Sequence, residues 1–318
     1  MKKEKIVLGM SGGVDSSVAA ILLQKKGFEV YGVFMKNWDD KNAICNAEDD
    51  YADAVSVCNQ LNIPLKKINY TKEYKDRVFS QFLDDHKNGF TPNPDVLCNK
   101  EIKFDVFQKY AKQIGATKIA SGHYAKIVKE NDNFFISKAS DRTKDQSYFL
   151  YQLKSPLLHN IEFPLGSLLK KDIRKIAEEN NLVNASKKDS TGICFIGDRK
   201  YNDFVCQFLK TKKGKIITVD GEEIGHHDGH MYFTVGQRKG LGIGARNSAF
   251  DKPWYVVNKD INKNIVYVAQ GGTHPALFSD QLLADNMYWS RDISKLLPFK
   301  CNAKAVSYTH LTLPTKSS

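Results

Sequence analysis

A glycine-rich loop between an apolar strand and a helix constrains this chain more than any other feature. The loop reads SGGVDS over residues 11–16 and follows the apolar segment at residues 5–10. Glycines allow a sharp turn, and the amide groups and partial positive charge of a helix start stabilise a phosphate group. The Gly-Lys-Ser/Thr of a Walker loop is absent. The sequence therefore predicts a nucleotide phosphate site of another kind.

Strand and helix patterns alternate through the first part of the chain. The predicted strands cover residues 5–10, 29–35, 63–68 and 117–121, and the predicted helices cover residues 16–26, 48–61 and 103–114. Such alternation is typical of a parallel sheet with helices on both faces, whose ligands bind at the carboxyl ends of the strands. We therefore predict a doubly wound α/β domain over residues 1–202.

The pattern changes after this domain. Short strands are predicted at residues 215–219, 231–235, 254–258 and 264–269, which indicates a small β-rich central domain over residues 203–278. Residues 279–304 are expected to begin a third segment that is cut short, and residues 305–318 to be a non-native tail. His226, His227 and His230 are interpreted as exposed polar residues rather than metal ligands.

The composition narrows the class of partner without deciding it. The chain has 318 residues and a net charge of +11, which fits either a solvated Lys-rich surface or a polyanionic partner such as nucleic acid. No apolar run approaches the roughly 20 residues that span a bilayer. We expect a cytoplasmic protein with no membrane partner.

Six cysteines are present, and no pair has the Cys-x-x-Cys spacing of a zinc site or an iron–sulfur cluster. Core packing is the default for each of them. Two stand in distinctive surroundings: Cys98 ends the stretch PNPDVLC, and Cys194 lies between glycines in STGICFIG. Lysines near both would lower a thiol pKa. From these residues alone, packing and chemistry both stay open. Cys45, Cys58, Cys206 and Cys301 are interpreted as packing or surface residues.

Taken together, the motifs resemble one family. The loop at residues 11–16 resembles the PP-loop of ATP pyrophosphatases, which adopt an adenine nucleotide alpha hydrolase-like fold. The whole set resembles the bacterial tRNA-specific 2-thiouridylases over residues 6–304. The matching segments are GMSGGVDS at 9–16, MKNW at 35–38, NPDVLCN at 93–99, GHYA at 122–125, KDQSYFL at 144–150, STGICFIG at 190–197 and GQRKGL at 236–241.

This resemblance implies an ATP site and a metal requirement. The ATP-binding residues it implies are Gly9, Met10, Ser11, Gly12, Gly13, Val14, Asp15, Ser16, Met35 and Gly122. Magnesium is expected to accompany ATP, and no structural metal is expected.

The resemblance also implies the sulfur chemistry and the RNA contacts. Cys194 would carry a persulfide received from a sulfur-donor protein, and Cys98 would act as the nucleophilic second thiol that forms a transient disulfide with Cys194. The implied tRNA contacts are Asn93, Pro94 and Asp95 at the target base, and His123, Lys144, Asp145 and Gln146 elsewhere. The expected substrates are tRNAs for Lys, Glu and Gln. Their wobble uridine would become 2-thiouridine, with release of AMP and pyrophosphate.

Two alternatives remain at this stage. Another PP-loop ligase or amidotransferase acting on a small metabolite would explain the loop but not the two cysteine motifs. A non-catalytic RNA-binding protein would need no such loop. The resemblance implies a C-terminal β-barrel that residues 279–304 would begin. The family continues after residue 304 with a basic, aromatic segment that residues 305–318 do not match. The sequence leaves open the activity of the chain, its oligomeric state and the identity of the sulfur donor.

Overall fold

The structure is a computed structural model that describes residues 3–39, 47–189, 193, 195–196, 201–243, 252–293 and 298–303. Over these residues the chain forms two compact units. The first unit takes in Met1–Val78, Pro94–Gly197 and Tyr288–Ser318, and the second unit takes in Phe79–Asn93 and Asp198–Met287. In the described part of the chain, every helix is too short or too polar to cross a membrane.

Strands and helices alternate along the first unit as the sequence predicts. The elements of both units are numbered together in chain order. The strands are β1 (Lys5–Gly9), β2 (Glu29–Lys36), β3 (Leu65–Asn69), β4 (Lys118–Ala120), β5 (Ala125–Glu130), β6 (Asn133–Lys138), β7 (Ile161–Glu162), β8 (Gly214–Thr218), β9 (Glu223–His227), β10 (Trp254–Asp260) and β11 (Ile265–Gln270). The α-helices are α1 (Val14–Lys25), α2 (Ala47–Gln60), α3 (Thr71–Tyr74), α4 (Ser80–Lys87), α5 (Pro94–Leu97), α6 (Phe107–Gln113), α7 (Ser155–Leu158), α8 (Lys170–Glu179) and α9 (Tyr201–Val205). Stretches of π-helix cover Lys75–Phe79 and Cys98–Val106, and 3₁₀ turns cover Ser147–Leu150, His230–Tyr232 and Pro275–Leu277.

The sheet of the first unit is parallel, in the order β3-β2-β1-β4-β7. Its central strand β1 is buried on both faces, because Ile6 and Leu8 pack with α1, α2 and α8 while Val7 packs with Phe104 and Phe107. Alternate residues of a strand point to opposite faces. The doubly wound architecture predicted from the sequence is therefore confirmed.

Two local predictions in the first unit need amendment. The predicted helix at residues 103–114 begins earlier, since π-helix runs over Cys98–Val106 before α6. The structure also contains an antiparallel hairpin of β5 and β6, which the sequence does not predict. Its strand β5 begins at Ala125, the last residue of the glycine-bearing segment at residues 122–125, and the hairpin forms a two-stranded sheet of its own.

The second unit contains a four-stranded sheet in the order β10-β11-β8-β9, with β11 and β8 parallel and the other pairs antiparallel. Its core includes Ile216, Val256 and Val266. Phe79–Asn93 belongs to this unit, although it lies in the middle of the sequence of the first. The Phe79 ring packs 4.9 Å from Phe208. The sequence analysis does not predict this excursion.

Two interpretations in the second unit are wrong. The predicted strand at residues 231–235 is replaced by a 3₁₀ turn over His230–Tyr232. Met231 and Phe233 alternate as in a strand because both are buried, although they pair with no neighbouring strand in the described residues. His227 is buried rather than exposed. The described residues of the segment 279–304 contain no strand, so a barrel in this region stays a prediction.

A buried histidine joins the inserted segment to the rest of the second unit. His86, in α4, hydrogen bonds through Nε2 to the hydroxyl of Tyr201 and packs edge-on against Phe82 at 4.6 Å. Burial, with the positive charge of Lys259 nearby, lowers the pKa of His86 to about 4. An imidazole with an ordinary pKa near 6.5 is therefore held neutral in the folded chain.

Acidification should destabilise the folded chain through His86. The unfolded state takes up the proton first, so the free energy of unfolding is highest above pH 6.5 and falls as the pH drops toward 4. The loss expected between pH 7.5 and pH 5 is about 2 kcal/mol. Urea unfolding across this pH range measures it.

The variant His86→Asn should unfold more easily at neutral pH but lose most of this pH dependence. The matched control is His226→Asn, because His226 is exposed. An unchanged pH dependence in His86→Asn would show that another group is responsible.

Candidate active site

The loop after β1 has a geometry that only glycine permits at its centre. Gly12 has a φ of +76°, and a Cβ there would lie 2.1 Å from the carbonyl oxygen of Asp50. The Ser16 hydroxyl donates to the carbonyl of Gly13 at 3.0 Å and accepts from the backbone amide of Ser11 at 3.2 Å. The turn is therefore closed by Ser16, which lies in the first turn of α1.

A buried asparagine also fixes this loop. Asn184, which follows α8, donates through Nδ2 to the carbonyl of Gly12 at 2.9 Å and to the hydroxyl of Ser17 at 3.0 Å. These bonds hold the Gly12 peptide in one orientation. Asn184 is not predicted from the sequence, because it lies in none of the motifs that indicate the site.

The other predicted ATP residues lie at the same edge of the sheet. A Cβ on Gly9 would lie 3.3 Å from Cε of Met35, so the ends of β1 and β2 are in contact. A Cβ on Gly122 would lie 3.1 Å from both the backbone carbon of Asp15 and the backbone nitrogen of Ser16. The turn after β4 therefore packs directly against the start of α1.

A network of charges surrounds the start of α1. Asp15 Oδ1 accepts from the Tyr124 hydroxyl at 2.6 Å and from Lys170 Nζ at 2.8 Å. Lys170 Nζ also lies 2.7 Å from Asp189 Oδ1, and Lys144 Nζ lies 2.8 Å from Asp189 Oδ2. The network joins the loop after β1, the turn after β4, the segment before the 3₁₀ turn at Ser147–Leu150, and α8.

The network shifts the pKa values of Asp189 and Tyr124. Burial acts to raise the pKa of Asp189, but hydrogen bonds and charges from Lys144 and Lys170 outweigh it and lower the pKa to about 2. Burial and the hydrogen bond to Asp15 raise the pKa of Tyr124. Both carboxylate and phenol are thus held in their ordinary charge states at neutral pH.

A second ion-pair group supports the same loop from α2. Lys187 Nζ contacts Asp50 at 2.6 Å and also pairs with Asp53. Burial acts to lower the pKa of Lys187, but its two carboxylate partners outweigh burial and raise the pKa. Because Asp50 also supplies the carbonyl that faces Gly12, this pair holds α2 against the loop.

The sequence analysis assigned no role to Lys170, Asp189 or Tyr124. The chain contains 47 Lys and Arg residues, and nothing local separates Lys170 from the rest. Tyr124 lies within the quoted segment GHYA, which is the one signal that could have found it.

Cys98 lies in the first unit at the start of a π-helical stretch. Its side chain is only 2% exposed. The neighbouring Asn99 donates through Nδ2 to the carbonyl of Phe149 at 3.2 Å, which ties this stretch to the segment after residue 144. Lys100 forms an ion pair with Glu101 at 3.2 Å. Unusual π-helical turns recur at functional sites, because they redirect a side chain from the regular helical face.

Two titratable groups beside this stretch are shifted toward their neutral forms. Burial raises the pKa of Asp95, and the charge of Lys103 opposes this shift. Burial and the charge of Lys103 both lower the pKa of His123 well below its ordinary value. His123 Nδ1 pairs with the Ser121 hydroxyl at 2.7 Å. Lys103 therefore acts electrostatically on residues from both of the motifs at 93–99 and 122–125.

The predicted RNA contacts at residues 144–146 have protein partners here. Asp145 accepts from the backbone amide of Ala139 at 2.9 Å and from the Ser147 hydroxyl at 2.8 Å. The Gln146 side chain accepts from the backbone amide of Tyr124 at 3.0 Å. Both side chains thus hold the backbone beside the charge network, and their contact with tRNA stays a prediction.

Cys194 lies outside the described residues, as do residues 190–192 and 197. Beside it, Phe195 is buried and packs 5.5 Å from the Trp38 ring and 6.0 Å from the Tyr74 ring. Phe195 is therefore anchored in the first unit, in contact with Trp38 of the segment MKNW.

The remaining cysteines follow the sequence interpretation where the structure describes them. Cys58 is buried in the core, where burial raises its pKa to about 11. Cys206 and Cys301 are exposed. Cys45 lies outside the described residues. A thiol held protonated inside an apolar core has a packing role.

Comparison with known proteins assigns the family. The model of the tRNA methyl transferase HUP domain matches residues 4–198, and that of the tRNA methyl transferase PRC-barrel domain matches residues 202–270. The tRNA-specific 2-thiouridylase MnmA 1 of Geobacillus kaustophilus (strain HTA426) is 54% identical over 306 residues, covering 96% of this chain and 82% of that protein. The chain belongs to the tRNA-specific 2-thiouridylase family.

Other relatives agree with this assignment. The tRNA-specific 2-thiouridylase MnmA of Legionella pneumophila (strain Lens) is 52% identical, covering 95% of this chain and 84% of that protein. The solved U34-tRNA thiolase NcsA from Methanococcus maripaludis with its [4Fe-4S] cluster has a TM-score of 0.39 at 18% identity, covering 60% of this chain and 59% of that one, which is too distant to support an argument. The relatives favour a thiouridylase over a small-metabolite ligase or a non-catalytic RNA-binding protein.

Asn184 should be a determinant of nucleotide affinity in this thiouridylase. The change Asn184→Ala removes two hydrogen bonds from the loop, each of which contributes about 1 kcal/mol. We expect ATP to bind about five- to thirtyfold more weakly. Calorimetric titration with a non-hydrolysable ATP analogue measures the change.

The matched control is Asn180→Ala, at the C-terminal end of the same helix, where Nδ2 bonds to the Ile176 carbonyl. Thermal unfolding checks that both variants are folded. Wild-type affinity in Asn184→Ala would show that the Gly12 peptide needs no outside support.

Proposed function

We propose that this chain replaces the 2-oxygen of the wobble uridine of tRNA with sulfur, using ATP to activate the oxygen. The chain is a sulfurtransferase by its family. The single observation that carries the proposal is the closed loop at Gly12 and Gly13, which ends at the start of α1 beside Lys170 and Asp15. This is an anion site of the kind that holds nucleotide phosphates.

The first proposed step is adenylation. The uridine O2 attacks the α-phosphorus of ATP, and the bond to pyrophosphate breaks. The start of α1 and the Lys170 ammonium would bear the negative charge of the phosphates. Lys170 is held by Asp15 and Asp189, so its position is fixed before the substrate arrives. Such preorganisation avoids reorganisation during the reaction.

Magnesium fits one carboxylate at this site. Mg²⁺ keeps several waters and binds through one or two protein carboxylates together with substrate phosphates. Asp189 is already paired with Lys144, Lys170 and Arg174, whereas Asp15 pairs with Lys170 beside the loop. Asp15 is the residue that would hold the ion, and the ion would neutralise charge on the phosphates.

The second proposed step transfers sulfur. The terminal sulfur of a persulfide on Cys194 attacks C2 of the activated uridine, a C–S bond forms, and AMP departs with the original oxygen. The Cys98 thiolate then attacks Cys194 Sγ. The bond between Cys194 and the transferred sulfur breaks, and its electron pair becomes part of the thiocarbonyl. The products are 2-thiouridine and a Cys98–Cys194 disulfide, which a thiol reductant resets.

The proposed partners follow from this chemistry. Residues 93–95 would contact the target base, and His123 and residues 144–146 would contact the tRNA. A neutral His123 suits a hydrogen bond to a base or sugar better than an ion pair with phosphate. The tRNAs for Lys, Glu and Gln are the proposed substrates, and a persulfide-bearing protein the proposed donor.

Mass analysis of tRNA nucleosides tests the whole proposal. The full chain is incubated with unmodified tRNA, ATP and a persulfide donor, and the digest is searched for 2-thiouridine. Omission of ATP or of the donor should each abolish the product. If complete reactions give no 2-thiouridine while AMP is released on another substrate, the proposal fails.

Asp15 should be essential for adenylation but not for binding tRNA. The change Asp15→Ala removes two hydrogen bonds, one of them to the Lys170 ammonium, and such charged bonds contribute about 1.5–3 kcal/mol each. We expect AMP and pyrophosphate release to fall at least about tenfold. Asp132→Ala, in the exposed turn between β5 and β6, serves as the control. Undiminished release in Asp15→Ala would refute this role.

The two cysteines should fail at different steps. Cys194→Ser should retain no labelled sulfur after incubation with the donor, because it has no thiol to load. Cys98→Ser should retain the label but fail to release 2-thiouridine during a chase with ATP and tRNA, because the second thiol is missing. Cys206→Ser is the matched control, since Cys206 is exposed in the second unit. Normal turnover by Cys98→Ser would show that the roles are wrongly assigned.

A further inference from the structure

The second unit exposes an aromatic ring on a segment that is hydrogen-bonded to a basic turn. We define the stacking surface as Phe90, Val235, Arg238 and Lys239. Phe90 is 65% exposed and Val235 is 58% exposed, and Arg238 and Lys239 are also exposed. A single exposed apolar residue is ordinary. An aromatic, an aliphatic and two basic side chains on adjoining rigid turns are a more specific arrangement.

The backbone beneath Phe90 is held firmly. The chain leaves α4 through Gly89, whose φ is +75°, and the Gly89 amide donates to the His86 carbonyl at 3.0 Å. The Phe90 amide donates to the Asp85 carbonyl at 2.9 Å. Ile261 packs so closely under Gly89 that a Cβ there would lie 2.3 Å from its Cδ1. The ring therefore projects from a fixed helix end.

The adjoining turn is equally well held. The hydroxyls of Thr91 and Thr234 pair at 3.2 Å, which places the turn beside Phe90. Gln237 accepts from the Thr234 amide and donates to the Lys239 carbonyl, both at 2.9 Å. The backbone of Gln237 also accepts from Val256 in β10 at 2.9 Å. The side chains of Val235, Arg238 and Lys239 are thus presented by a turn anchored to the sheet.

The charges of this surface are available to a ligand. Among the described residues, neither Arg238 nor Lys239 has a carboxylate partner within ion-pair distance. Basic side chains beside an exposed aromatic ring are the chemistry of single-stranded nucleic acid sites, where bases stack on the ring and cations meet the backbone. A protein partner would favour a wider apolar surface with few uncompensated charges.

We propose that the stacking surface binds an unpaired nucleotide of the tRNA anticodon loop that flanks the target uridine. This inference rests on the proposed function. Phe90 stacks on the base, Val235 packs against its edge, and Arg238 and Lys239 meet adjacent phosphates. Phe90 is three residues before Asn93 in the same unit, and three residues span at most about 10 Å. The surface thus lies within reach of the segment proposed to contact the target base.

Fluorescence of a modified RNA tests the stacking directly. The probe is an anticodon stem-loop with 2-aminopurine next to the target uridine, titrated with the full chain. Wild-type protein should quench the probe. Phe90→Ala should lose the quenching and bind about five- to hundredfold more weakly, because stacking on one aromatic contributes about 1–3 kcal/mol per base. Phe90→Tyr should retain both properties.

A second exposed phenylalanine provides the matched control. Phe278 is 68% exposed and belongs to the same unit, away from the residues that define the stacking surface in sequence. Phe278→Ala should bind and quench as the wild type does. Replacement of Arg238 and Lys239 by Gln should lower the log–log salt slope by about 1.4, since each contact with a single strand contributes about 0.7. Phe90→Ala should leave the slope unchanged.

The outcomes separate this inference from the proposed function. If wild-type protein binds and thiolates tRNA but Phe90→Ala matches Phe278→Ala, the stacking surface is wrong and the function stands. If Phe90→Ala keeps RNA binding and loses only sulfur loading from the donor, the surface binds a protein and the inference is overturned. If the wild type neither binds nor thiolates tRNA, both fail.

Discussion

The ion pair between Asp15 and Lys170 is the contact on which the arrangement of the site depends. It joins the first turn of α1 to the start of α8, and the hydroxyl of Tyr124 adds the turn after β4 to the same carboxylate. Asp189 forms a second ion pair with the same lysine. A partly buried ammonium with two carboxylate partners has little freedom to move, so the loop of residues 11–16 faces a fixed positive charge.

The surroundings of Cys98 differ from those of Lys170. Cys98 is buried at the start of a π-helical stretch, and burial shifts Asp95 and His123 toward their neutral forms. Lys103 is the charge that acts on both. The loop of residues 11–16 and the Cys98 thiol are thus carried by separate segments of one unit.

The chain passes into the second unit at Phe79 and returns at Pro94. This excursion carries α4, the buried His86 and the exposed Phe90, and it ends immediately before the proline-fixed motif that contains Cys98. Segments on both sides of the motif are therefore anchored by packing, through the phenylalanine cluster before it and the π-helix after it. The proposed RNA-binding surface includes Phe90, which lies on this excursion.

The sequence by itself determined the order of β1 to β4 and of α1 and α2 between them, because each is encoded by local periodicity and by glycine at the turns. It also determined which segments gather at the carboxyl edge of the sheet, since parallel strands must end together. Tertiary structure alone decided the partners of those segments. Lys170 meets Asp15 from 155 positions away, and Asn184 reaches Gly12 from 172 positions away. Tertiary structure also decided that residues 231–235, whose alternating pattern predicts a strand, include part of a 3₁₀ turn. An alternating pattern of buried residues is compatible with more than one backbone conformation. Local pattern fixes elements, whereas long-range contacts depend on packing that no single segment encodes.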